Sequence, residues 1–91
     1  MGEYKTVYRK QNQDDIISQQ LTQYQNQILD IFTQFAQNEP SSQFNVKYKI
    51  RDENVGWKYV YINQRMQNRI DELANLMRSL GKTPFIPERL N

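Results

Sequence analysis

The feature that most constrains this chain is a change of period near its middle. From Gln43 to Asp52 the side chains alternate: Phe44, Val46, Tyr48 and Ile50 fall on one side, and Asn45, Lys47, Lys49 and Arg51 on the other. Successive residues of a strand point to opposite faces, so this pattern predicts a strand with one buried and one wet face. The run Gly56 to Ile62 predicts a second strand. A turn centred on Glu53 and Asn54 pairs the two as a hairpin, with Tyr48 opposite Tyr59, Ile50 opposite Trp57 and Val46 opposite Tyr61. That register gathers the aromatic side chains on one face. On the other it gathers Lys47, Lys49, Arg51 and Lys58, with Val60 and Ile62 toward the far end.

Both flanks of the hairpin have helical period. Between Asp14 and Gln37, residues Ile17, Leu21, Tyr24, Ile28, Ile31 and Phe35 recur at steps of four and three. Asn12 or Asp14 can cap that helix, Asp14 and Asp15 suit its positive end, and Pro40 stops it. Residues 63–80 repeat the pattern with Met66, Ile70, Leu73, Met77 and Leu80. Asn63 is placed as N-cap, and Gly81 in the left-handed position just past the end. Residues 3–9 alternate enough to predict a short strand, and the tail from Thr83 to Asn91, with two prolines, reads as extended.

The expected architecture is α+β: a two-layer sandwich of order β-α-β-β-α, with an antiparallel hairpin whose aromatic face is covered by two amphipathic helices. At 91 residues there is room for one core. Residues 1–12 read as an arm or short strand, 13–82 as a single domain, and 83–91 as an extended tail.

Composition sets what such a domain can do. The mean hydropathy of −0.92 is low, yet 12% of residues are aromatic, enough large side chains to build a core. The chain has neither histidine nor cysteine, which removes the usual general base, the soft metal ligands, the thiol nucleophile and disulfides. Six of the ten acids come as adjacent pairs, Asp14–Asp15, Asp52–Glu53 and Asp71–Glu72, and neighbours in a helix diverge too far to converge on one proton or metal. The expectation is a protein that is not an enzyme and uses no cofactor or metal. With no long apolar run and no secretory leader, it reads as cytoplasmic, with no membrane partner.

Two motifs dissolve on inspection. Leu80-Gly81-Lys82-Thr83 ends like a phosphate-binding loop, but Leu76 stands where that motif requires its first glycine, and the segment closes a helix instead of opening one. Met1 to Thr6 fits a loose N-myristoylation pattern that chance supplies more often than lipid does.

The charge distribution is more informative. Residues 1–40 carry three cations against five acids, whereas residues 41–70 carry six cations, Lys47, Lys49, Arg51, Lys58, Arg65 and Arg69, against two acids. Four of the six form a stripe on the outer hairpin face that can track phosphates, and Arg65 and Arg69, one helical turn apart, extend it. The plain alternative is a solvated face whose lysines discourage edge-to-edge aggregation. Base stacking on Trp57, Tyr59 and Tyr61 conflicts with the expected register, because the helices would then lie on unpaired cations. Those aromatics are expected in the core.

The functional expectation is therefore a small regulatory protein binding nucleic acid through Lys47, Lys49, Arg51, Lys58, Arg65 and Arg69. Self-association as a homodimer is expected through helices 14–37 and 63–80. The alternative is a protein-interaction module, an adaptor, inhibitor or assembly factor using its glutamine-rich first helix or its tail. Small size and abundant glutamine and asparagine also associate the chain with accessory proteins of mobile elements.

Overall fold

A computed structural model describes residues 13–90; the arm 1–12 and the strand expected over 3–9 lie outside the described residues. The elements in chain order are α1 (Gln13–Gln34), β1 (Val46–Asp52), β2 (Gly56–Ile62), α2 (Gln64–Ser79) and β3 (Glu88–Arg89). The strands form one antiparallel sheet of order β2-β1-β3, and both helices pack on one face of it. The class is α+β, as the two periods require.

Each helix forms where its apolar stripe and end signals coincide. α1 has Asp14 and Asp15 in its first turn and buries Ile28, Ile31 and Phe32 from the second half of its stripe. α2 starts where Asn63 Oδ1 accepts the Met66 amide at 2.8 Å. It ends in a Schellman closure: the Gly81 amide donates to Arg78 O, the Lys82 amide donates to Met77 O, and Gly81 sits at φ +93°. The loop-like Leu80-Gly81-Lys82-Thr83 is thus a helix terminus. α2 buries Ile70, Leu73, Ala74 and Met77 against α1 and the sheet.

The strand register departs from expectation by one residue. Val46 faces Ile62, Tyr48 faces Val60, Ile50 faces Lys58 and Arg51 faces Trp57. The helices consequently lie on Val46, Tyr48, Ile50, Val60 and Ile62, and not on the face of Trp57, Tyr59 and Tyr61. The turn is the cause. Asp52 Oδ1 accepts the amides of Asn54 (2.8 Å) and Val55 (3.1 Å), and Gly56 at φ +85° supplies the left-handed step. Three residues, Glu53 to Val55, therefore connect the strands, and Asp52 pairs with Gly56. An added loop residue flips every β2 side chain to the opposite face. The exchange fully buries Val60 and Ile62, each worth about 1.5–3 kcal/mol, and leaves the larger rings of Trp57, Tyr59 and Tyr61 on the outer face.

The tail folds back over α1. The Gln25 side-chain amide imitates a strand neighbour there: its Nε2 donates to Phe85 O and its Oε1 accepts the Phe85 amide, both at 2.8 Å. Ile86 then packs on the core, and β3 pairs Glu88 with Lys49 and Arg89 with Tyr48.

One polar chain crosses the core. Tyr48, 2% exposed, donates its hydroxyl to Gln67 Oε1, and Gln67 Nε2 donates to Asp71 Oδ1 at 2.9 Å. Burial pushes the Tyr48 phenol above its ordinary range, partly offset by the Gln67 bond. Its ring meets Phe32 edge-on at 4.8 Å. Tyr48→Phe keeps that packing but strands a buried carbonyl, so we expect a loss of about 1–3 kcal/mol in urea unfolding. Tyr48→Phe with Gln67→Leu removes both partners and should recover most of the loss; a double variant as weak as the single would show that the bond is not the cause.

Candidate nucleic-acid interface

The one-residue shift builds a surface that neither strand would offer alone. On the face away from the helices, β1 presents Lys47, Lys49 and Arg51, and β2 presents Tyr61, Tyr59 and Trp57 directly opposite them. Each of these three rungs thus joins one cation to one ring. The two lysines lean toward the turn onto the diagonal neighbour, and Arg51 reaches the ring directly opposite it. Lys47 Nζ lies 4.1 Å from the Tyr59 ring centre and Lys49 Nζ 4.7 Å from that of Trp57, while Arg51 Cζ is 5.5 Å from the same Trp57 ring. At exposed sites such contacts contribute about 0.5–1 kcal/mol each, enough to orient a flexible side chain without neutralising its charge.

Two of the rings are still largely in contact with solvent, Trp57 at 57% and Tyr59 at 47% exposure, while Tyr61 is half-buried. Trp57, Tyr59 and Tyr61 follow one another at about 6.6 Å along the strand, two residues per step. Lys49 and Arg51 take part in no ion pair with a described carboxylate. Glu88, opposite Lys49 on β3, is the acid at the border of this face.

The other expected site residues are placed elsewhere. Lys58 lies opposite Ile50 on the helix side of the sheet, at the turn, where its Nζ is 3.4 Å from Asp52 Oδ2. Bonds from the Asn54 and Val55 amides, with a smaller pull from Lys58, hold the Asp52 carboxyl below the usual carboxylate range. Asp52 therefore serves the turn. Arg65 and Arg69 belong to α2, beneath the opposite face, and Arg69 is engaged by Glu72 and by Gln27 of α1 at 3.1 Å. The basic stripe thus comprises Lys47, Lys49 and Arg51 and is not extended by Lys58, Arg65 or Arg69. Trp57, Tyr59 and Tyr61, expected in the core, lie instead on the outer face beside these cations; the signal for that placement was the Asp52-to-Gly56 spacing, which marks a three-residue loop with glycine in its left-handed position.

A concavity of about 640 Å³ lies at the turn end of the hairpin between α1 and the tail, and Lys49, Arg51 and Trp57 of the outer face contribute to its lining. Leu29, Phe32, Ile50 and Phe85 give it apolar walls, and Lys58, Asp52 and Glu88 mix both signs of charge at its edge. Among the described residues no group of three His, Cys, Asp or Glu side chains is placed to hold a metal, and no helix is long and apolar enough to cross a membrane.

Compared with known protein families, with curated proteins and with solved structures, the chain matches none.

Proposed function

We propose that this is a non-enzymatic binding protein whose outer sheet face takes single-stranded nucleic acid, bases stacking on Trp57, Tyr59 and Tyr61 while Lys47, Lys49 and Arg51 contact phosphates. The observation that carries the reading is the rung-by-rung pairing of three cations with three rings on one face, of which Trp57 and Tyr59 are exposed and Tyr61 is half-buried. An aromatic platform beside a basic row offers both contacts that an unpaired strand needs, and every base has a face to stack. A duplex keeps its bases stacked inside, so it can use only the cations. Single strands are therefore the preferred class.

The alternative, a protein-interaction module built on α1 or the tail, has less to rest on. Gln25 and Gln27, two of the glutamines expected to serve such an interface, are engaged within the fold by Phe85 and Arg69. The apolar stripes of both helices meet in the core.

The deciding measurement is binding of single-stranded and duplex oligonucleotides over a salt series, for the parent and for Lys47→Ala/Lys49→Ala/Arg51→Ala. Each phosphate neutralised on a single strand contributes about −0.7 to the slope of log K against log salt, so the variant should lose about two units of slope. Equal slopes for parent and variant, or no binding by the parent at low salt, would sink the proposal.

A further inference from the structure

The two edges of the sheet are finished differently. On the β1 side the edge is covered by β3, a strand of two charged residues that follows Pro87, and such short, charged, proline-flanked strands resist further pairing. On the other side β2 runs for seven residues with no proline, and among the described residues no strand lies against its outer edge.

The hydrogen-bond pattern fixes which groups that edge offers. Leu90 donates its amide to Lys47 O at 2.8 Å, so the peptide groups of Lys47 point toward β3 and away from β2. In an antiparallel ladder, bonded and non-bonded pairs alternate. The pairs Lys47–Tyr61, Lys49–Tyr59 and Arg51–Trp57 are therefore the non-bonded ones. The N–H and C=O groups of Trp57, Tyr59 and Tyr61 consequently point outward from the sheet, three donors and three acceptors in a row.

We infer that this edge pairs with the same edge of a second copy of the chain, giving a two-fold dimer with one continuous six-stranded antiparallel sheet. A second copy is the occupant because the edge is complementary to itself. With the two-fold axis at Tyr59, that residue exchanges both of its peptide hydrogen bonds with its own copy. Trp57 comes opposite Tyr61 twice, placing aromatic rings in cross-strand contact, and Lys58 comes opposite Val60, so no two like charges oppose each other. This dimer differs from one made through the helices, and it does not depend on nucleic-acid binding.

The test is residue-resolved amide hydrogen exchange, run alongside molar mass over a dilution series. In a single copy the amides of Lys58, Val60 and Ile62 are held by β1, while those of Trp57, Tyr59 and Tyr61 face solvent and exchange fast. In the dimer all six are slow. We expect a mass twice that of one chain at high concentration, falling on dilution as protection at Trp57, Tyr59 and Tyr61 is lost together. Tyr59→Pro removes the central donor without breaking a bond to β1 and should be a single copy throughout, whereas Tyr59→Ala keeps the donor and still dimerises. A single copy of the parent at every concentration would overturn the inference, as would a dimer in which those three amides exchange fast, or protection of them in the single copy. Should Tyr59→Pro fail to fold, exchange on the parent decides alone.

Discussion

Val60→Lys is expected to abolish folding, whereas Tyr59→Lys, one residue away, is expected to leave the domain folded. Val60 is fully buried among Tyr48, Phe32 and the α2 stripe, with no carboxylate among the buried residues to meet an introduced ammonium. An unpaired charge there costs several kcal/mol, and the longer side chain has no room at a fully buried position. A domain of this size has about 5 to 13 kcal/mol of total stability, so one such change consumes most of it. Tyr59 stands on the outer face, nearly half exposed, and its replacement sacrifices one cation–π contact and some cross-strand packing, about 1 kcal/mol. Circular dichroism and urea unfolding of the two variants read the register directly. Under the register that pairs Tyr48 with Tyr59, the outcomes would be reversed: Tyr59→Lys would unfold the chain and Val60→Lys would be tolerated.

That reversal marks the boundary of what the amino-acid order reveals by itself. Both helices are legible because period and end signals agree independently: Asn63 caps where it must, and Gly81 takes a positive φ where the stripe of α2 runs out. β1 is legible because its two faces differ in kind, aliphatic and aromatic against cationic. β2 is not, because both of its faces are apolar enough to be buried. Trp57, Tyr59 and Tyr61 offer more area, but Val60 and Ile62 are the side chains with no polar atom, and their burial leaves nothing to satisfy. The choice falls to the turn, where two amides held by Asp52 and one left-handed glycine outweigh a reading based on aromatic area. β3 has no signal at all: a two-residue strand between Pro87 and the end of the described chain has no period, and it exists because Gln25 positions the tail. The candidate site inherits the same division. Lys47, Lys49 and Arg51 are readable from β1 alone, whereas their aromatic partners, and the departure of Lys58 to Asp52, follow from the register.

The register also makes the aromatic half of the proposed interface testable apart from its charge. Trp57 is the one tryptophan of the chain, so its emission reports the face without a label. A single-stranded oligonucleotide stacking there should quench that emission on binding. Removing one stacking platform costs about 1–3 kcal/mol, so Trp57→Ala should weaken single-strand affinity by roughly 5- to 150-fold. The salt slope should stay the same, because no phosphate contact is removed. Trp57→Ala/Tyr59→Ala/Tyr61→Ala should abolish measurable binding while the domain still melts cooperatively, since none of the three rings belongs to the buried core. The pairing of the two slopes decides between mechanisms. If Trp57→Ala binds as tightly as the parent, with the loss confined to the Lys47, Lys49 and Arg51 variant, the face is a charged surface for phosphates and the rings only hold the cations in place. If affinity falls at constant slope, the rings are read by bases, and the one-residue shift that carried them outward is what makes the surface selective for unpaired strands.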